Sequence, residues 1–220
     1  MARSAAWERI GALSGIAFAV LVIIGFAVGI RQANDVVPSD VSGVIAINFG
    51  QTQDEIRLGA MIILAGIFFL FWFLALLHHR LREAEGGAGW LANVAYSGGL
   101  LTGAMLLVFA SFGMAASVMK DYQGDWQVAK TLLTLSWDHL AVLVPALAAM
   151  VGGTAVVSIR SGALPAWLGW LSVLLVIAPV VVDPGLMAIV FLIWVIVVSV
   201  VLLYQTFGEP GPAPAEPGPD

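Results

Sequence analysis

The chain has 220 residues, 60% of them hydrophobic and only 10% charged, and it carries a net charge of −5. Soluble domains hold about 25% charged residues, so a water-solvated fold cannot hide this much apolar surface and the surrounding medium is lipid. The acidic balance excludes a nucleic-acid partner, which needs clustered Lys and Arg, and the lack of cysteine removes disulfides, thiolate metal sites and cysteine nucleophiles together.

Gaps between charges then mark the membrane segments in chain order. The first predicted span covers about 10–30, between Arg9 and Arg31. Its apolar run of about 21 residues exceeds the roughly 7–15 of a signal-peptide core, and no Ala-x-Ala site follows, so it is expected to stay as a helix. Gly11 and Gly15, Gly25 and Gly29, and later Gly99 and Gly103 each stand four apart and share a helical face. Such pairs let backbones approach closely. Packing inside one bundle is the expected use, and a face for a homo-oligomer is the other.

Residues 31–56 read as the longest outer loop, broken at Pro38 and mildly apolar from Val41 to Phe49, a stretch suited to lying along the membrane surface. The second span, about 58–77, ends in the run His78-His79-Arg80-Leu81-Arg82. A dense basic loop belongs on the cytoplasmic side, which puts both termini inside. The two histidines are expected to bond the last carbonyls of their helix. No His-x-x-x-His or Glu-x-x-His spacing occurs, so no helical metal site is expected.

The third span covers about 91–118 and contains "AYSGGLLTG", Ala95–Gly103. A Ser followed by Gly in a six-span chain resembles the rhomboid proteases, which pair a Ser with a later His. Ala95 stands where that family has Gly, however. On this topology Ser97 lies near the inner face and His139 at the outer one, roughly 25–30 Å apart. Ser97 is therefore expected to bond within the helical packing.

"TLSWDHLAVLVPALAAM", Thr134–Met150, places Asp138 and His139 at the head of the fourth span, about 139–159. Two readings compete. Eight acids fall on the outer side against four bases, so an acidic mouth around Asp138 and Asp183 could draw in a cation, with His139 changing charge between about pH 5 and 8. The favoured reading is helix-start chemistry, with Ser136 or Asp138 as the cap and Trp137 anchored at the interface. The fifth span covers about 164–182 and the sixth about 185–206. Pro145 and Pro179 fall inside the fourth and fifth and are expected to kink them. Asp183-Pro184-Gly185 is a turn signature, and the Pro-rich tail 208–220 is expected to be disordered.

Every ionisable residue thus stands at a span boundary. The deepest polar groups are hydroxyls: Ser14, Thr102, Ser111, Ser117, Thr154, Ser172 and Ser199. Ion-coupled transporters and voltage sensors keep an ionisable group deep in the membrane, so those classes are disfavoured. Trp7, Trp90, Trp126, Trp137, Trp167 and Trp170 stand near span ends, where the amphipathic ring prefers the headgroup layer. Trp72 and Trp194 fall within spans and are expected to pack in the core.

"SGALPAWLGW", Ser161–Trp170, resembles the inner loop and helix start of small six-span bacterial membrane proteins of unknown function. Ile56–Arg82 resembles their second span and basic loop. That resemblance implies the fold and transfers no site. Seven Arg against two Lys is usage typical of a GC-rich bacterial genome.

The combined expectation is an all-α, polytopic transmembrane bundle of six helices with N-terminus and C-terminus cytoplasmic, in a bacterial inner membrane, without cofactor or metal. The lipid bilayer is its first partner. The favoured role is non-enzymatic: binding or passage of a small or lipid-like molecule, or service as an accessory subunit. The alternative is an intramembrane enzyme using Asp138, His139 and Asp183 at the outer face. The two differ on whether those three side chains converge around a cavity.

Overall fold

The computed structural model describes residues 2–36, 42–118, 128, 131–136, 142–178 and 184–208. Among these residues the chain is helical apart from short turns, with no strand. The helices are α1 (Ala2–Val36), α2 (Ser42–Glu85), α3 (Trp90–Val118), α4 (Val144–Ser161), α5 (Ala166–Ile177) and α6 (Pro184–Gly208). Helix is what lipid demands of such sequence, because every backbone N–H and C=O must be satisfied within its own segment.

Among the described residues five stretches are long and apolar enough to cross a membrane: Ala6–Gly29, Asp54–Glu85, Trp90–Val118, Val144–Ser161 and Leu186–Thr206. The chain therefore reads as a multi-pass membrane protein. α5 is apolar but has only 12 residues, about 18 Å of helix against the roughly 30 Å of a hydrocarbon core.

α1 packs along α2 and α6, α2 along α3, α3 against α4, and α4 against α5, while α5 barely touches α6. The core holds Phe18, Ile67, Phe73, Met150, Trp194 and Val198, none more than 1% exposed. Phe68, Leu174, Ile189 and Ile193 are each more than half exposed. An apolar exterior of this kind is costly in water and is the expected surface in lipid. Since both inside and outside are apolar, size sorts them. Ala12, Ala19, Ala92, Ala95, Ala110 and Ala155 are all buried, as small residues at membrane helix interfaces should be.

The glycine pairs face this interior. A methyl group on Gly11 would meet Leu76 at 2.8 Å, and one on Gly15 would strike Ser199 and Phe73. Between α3 and α4 backbone stands in the way as well: a methyl on Gly98 would lie 2.5 Å from the Met150 backbone nitrogen, and one on Gly153 would lie 2.9 Å from the Ala95 Cβ and 3.0 Å from the Ala95 nitrogen.

The deep hydroxyls mostly bond back into their own helices. Thr102 donates to the Gly98 carbonyl, Thr154 to Met150 and Ser172 to Leu168, at 2.7–2.9 Å. The Trp194 indole N–H donates to Ser172 Oγ at 2.8 Å and ties α6 to α5. Ser199 Oγ is buried with no hydrogen-bond partner.

Several expectations are corrected. The outer loop at 31–56 is largely helix, since α1 runs on to Val36 and α2 begins at Ser42. At 44 residues α2 is about 66 Å long. Charges such as Asp54 and Arg57 limit where lipid can be, but they do not break a helix. Pro145 stands in the first turn of α4, just after an interruption of regular helix at Leu143 between helical Val142 and Val144, and residues 137–141 lie outside the described ones. Ser136 ends the helical run 131–136 and its hydroxyl donates to the Leu133 carbonyl at 2.8 Å, while the N–H groups it would cap lie outside the described residues. Pro184 opens α6 rather than closing the preceding span. Pro165 is the N-cap of α5. The two tryptophans within spans pack in different ways: Trp194 is buried, while Trp72 is 43% exposed and stacks on Trp7 with ring centroids 6.2 Å apart. Pro179 and the tail from 209 lie outside the described residues.

Candidate functional site

Asp138, His139 and Asp183 all lie outside the described residues, as do Trp126 and Trp137. The described residues offer two other regions where polar chemistry or empty space collects, one at each end of the bundle.

The first end gathers the start of α1, the end of α2, the start of α3, the turn between α4 and α5, and the end of α6. Gly86, Gly87 and Gly89, with φ of 66°, 54° and 62°, take the left-handed conformation that turns α2 into α3. Glu85 then reaches over this turn. Its two carboxylate oxygens accept from the Leu91 N–H at 3.1 Å and the Ala92 N–H at 2.8 Å. A carboxylate there satisfies two otherwise orphan donors and meets the positive end of the α3 dipole. Arg80 donates to Glu8 at 2.6 Å and joins α2 to α1, with the two side chains only 20% and 23% exposed. Gln205 of α6 donates to the Ala163 carbonyl at 3.5 Å.

The histidines sit here too, but not as the sequence suggested. α2 continues past both of them, so neither lies over the last carbonyls. His78 Nε2 is 3.0 Å from Asn93 Oδ1, and its ring lies 4.7 Å from the Tyr96 ring, bridging α2 to α3. His79 Nε2 is 3.3 Å from Glu83 one turn on. Among the described residues no group of three or more His, Asp or Glu gathers to hold a metal. Ser97, the serine with the rhomboid-like context, is exposed on α3. At this end Glu8–Arg80, His78–Asn93, Glu85 and Gln205 tie neighbouring helices together, beside an open groove lined by Glu83, Gly162 and Tyr204.

The second end is different. A cavity with about 440 Å³ of empty space opens between the last turns of α1, the span-entry of α2, the end of α3 and the helical residues 131–136. Most of that space is open to the surroundings; the room inside is about 50 Å³, well below the roughly 300–1,000 Å³ of typical small-molecule pockets, so this is a narrow apolar cleft. Phe26 and Phe109 form part of the wall, their rings 5.2 Å apart and tilted by 47°. Ile56, Ile63 and Leu133 add aliphatic surface, and Ser136 supplies the one side-chain hydroxyl among the described lining residues.

Four glycines line it: Gly25, Gly29, Gly59 and Gly113. They do two jobs. A methyl on Gly25 would lie 2.8 Å from the Gly59 carbonyl oxygen, and one on Gly59 would lie 2.6 Å from the Gly25 carbonyl oxygen. This pair brings α1 and α2 into backbone contact. A methyl on Gly29 would meet nothing within 4 Å, and one on Gly113 only Ala60 and Ile56 at 3.9 Å. Those two glycines border empty space. Sequence spacing had put Gly25 and Gly29 in one role. Gly59, Gly113, Phe26 and Phe109 carried no signal that tied them to a site.

A second apolar cavity, with about 370 Å³ of empty space, lies where α5 leans away from α6, against Val151, Val176, Met187 and Phe191. Among the described residues its lining side chains are all apolar. It lacks the handle that would orient a ligand. No protein-family model, curated protein or solved structure matches the chain.

Proposed function

We propose that this chain is a non-enzymatic protein of a bacterial inner membrane that binds a small apolar or lipid-like molecule in the glycine-bordered cavity between α1, α2 and α3. Six apolar segments support six crossings, with α5 and the residues after it forming the fifth. The basic run His78–Arg82 supports a cytoplasmic location for the end where Glu8 and Arg80 pair, and hence for both termini.

The observation that carries the reading is the open space beside Gly29 and Gly113. At Gly11, Gly15, Gly98, Gly99 and Gly153 an added methyl would come within 3 Å of a neighbour, whereas Gly29 and Gly113 leave room among the described residues. A cavity walled by phenyl rings and aliphatic groups, with a single hydroxyl, suits a ligand that partitions into lipid and enters sideways. The absence of any ionisable residue within the apolar spans supports passive binding over ion-coupled transport.

Native mass spectrometry of protein extracted from membranes tests this. The expected result is a retained small molecule or lipid that disappears in Gly113→Leu, whose side chain fills the cavity. An unliganded wild-type protein, or an adduct retained equally by Gly113→Leu, would sink the proposal.

A further inference from the structure

We infer that the seam between α2 and α3, at the end where Glu8 pairs with Arg80, holds the glycerophosphate of a membrane phospholipid. This surface is separate from the cleft between α1, α2 and α3, and the inference needs only that the chain spans a membrane.

The two helices run antiparallel here, so their residues meet as rungs. At the top, Arg82 of α2 lies along Gly89: a methyl on that glycine would meet the arginine Cγ at 3.0 Å and its Nε at 3.6 Å. Four residues back along α2, about 6 Å, His78 Nε2 stands 3.0 Å from Asn93 Oδ1, with its ring 4.7 Å from that of Tyr96. Asn93 follows Gly89 by one helical turn, and its N–H donates to the Gly89 carbonyl at 3.1 Å. Ser97 stands one turn deeper on the same exposed face of α3.

Three donors in this column are unspent among the described residues. Arg82 is exposed and has no carboxylate within ion-pair distance, since Glu8 takes Arg80 and Glu83 takes His79. With Oδ1 on His78, the Asn93 amide protons have no partner. Ser111, also exposed on α3, donates to the Leu107 carbonyl, but Ser97 makes no such bond. Donors on a lipid-facing surface call for an acceptor that the membrane itself carries.

The spacing selects a phospholipid. The headgroup layer is about 5–8 Å thick on each side of the hydrocarbon. That matches the drop of about 6 Å from Arg82 to the Asn93 rung. A phosphate at Arg82, whose planar guanidinium suits its oxygens, puts glycerol beside His78 and Asn93 and an ester carbonyl within reach of Ser97. Trp90, 62% exposed at the start of α3, anchors in the same layer. Below Ser97 the face turns apolar, with Leu101 and Leu107 exposed for acyl chains. The α3 N-terminus itself is not the anion site, because Glu85 already occupies its N–H groups.

Native mass spectrometry of the delipidated full chain tests this, with equal amounts of dioleoylphosphatidylglycerol, dioleoylglycerol or ammonium phosphate added. The phospholipid is expected to be retained about tenfold better than the diacylglycerol, the worth of one charge-assisted hydrogen bond. Arg82→Gln should remove most of that preference. Arg160→Gln should keep it, because one and two turns below that exposed arginine α4 offers only Val156 and Gly152. Gly113→Leu, which fills the cleft, should keep it too, and this separates the seam from the cleft. Equal retention of the two lipids by the wild type overturns the inference. So does an equal loss in Arg82→Gln and Arg160→Gln, which would mean diffuse charge attraction. Inorganic phosphate held as well as the phospholipid and lost in Arg82→Gln would make the seam a free-anion site and overturn the lipid assignment. The wild-type comparison decides the point even if Arg82→Gln fails to fold.

Discussion

One substitution made twice in α3 separates close packing from open space. Gly98→Ala places a methyl 2.5 Å from the Met150 backbone nitrogen and 2.7 Å from the Ala146 carbonyl oxygen. Contact between non-bonded heavy atoms becomes comfortable at roughly 3.5 Å, so α3 and α4 must separate by close to 1 Å. Both obstacles are backbone atoms, which cannot swing aside as a side-chain end can. Overpacking of this kind costs about 1–3 kcal/mol. Replacing a mid-helix glycine by alanine returns up to about 1 kcal/mol of helix propensity. The net expectation is a loss of about 1–2 kcal/mol. Gly113→Ala is the control in the same helix. Its methyl meets only Ala60 and Ile56 at 3.9 Å, so it should be neutral or stabilising by up to about 1 kcal/mol. Thermal unfolding in detergent micelles reads the difference, at about 2–4 °C per kcal/mol for a chain of this size. Gly98→Ala should melt below the wild type and Gly113→Ala at or above it. If Gly98→Ala proves as stable as Gly113→Ala, the close α3–α4 seam is wrong.

Three further outcomes are expected. Glu85→Ala removes the carboxylate that caps α3 and should cost about 0.5–2 kcal/mol, seen as faster amide exchange at Leu91 and Ala92 and a lower melting temperature. A double-mutant cycle on Glu8 and Arg80 should give a coupling energy of about 1 kcal/mol that shrinks as salt rises, because the pair is only partly buried; a coupling indistinguishable from zero at low salt would remove the α1–α2 tie. Ser172→Ala strands the buried Trp194 indole N–H and should cost about 1–3 kcal/mol, whereas Ser111→Ala, at an exposed hydroxyl bonded to its own helix, should cost far less in the same unfolding assay.

Much of the architecture was legible because lipid imposes a one-dimensional constraint. A segment must be apolar for about 20 residues, and charges such as Arg9, Arg80 and Arg160 show where such runs stop. That pattern led to the all-helical, multi-pass reading and to the packing role of most glycine pairs. The ends of helices were less legible. Charge marks the edge of the membrane and not the edge of a helix, so the extension of α2 back to Ser42 left no trace in hydropathy. The start of the fourth span was set at His139, whereas the turn at Leu143, just before α4 begins at Val144, left no mark in hydropathy.

Inside the membrane the sequence loses its strongest signal. In water, burial sorts apolar from polar, and periodicity then shows which face is the core. Here both faces are apolar, so nothing in the order of residues said that Trp194 is buried while Trp72 is exposed. The candidate site follows the same logic. Gly25 and Gly29 are chemically identical and share a helical face, yet one touches the Gly59 backbone and the other borders a cavity. Only the crossing of α1 with α2, and the position of α3 beside them, decides that difference. By itself the sequence determined the solvent, the helical state and the absence of charge within the apolar spans. The tertiary structure decided which small residues close a gap and which leave one open, because a cavity belongs to several helices at once and to no single stretch of chain.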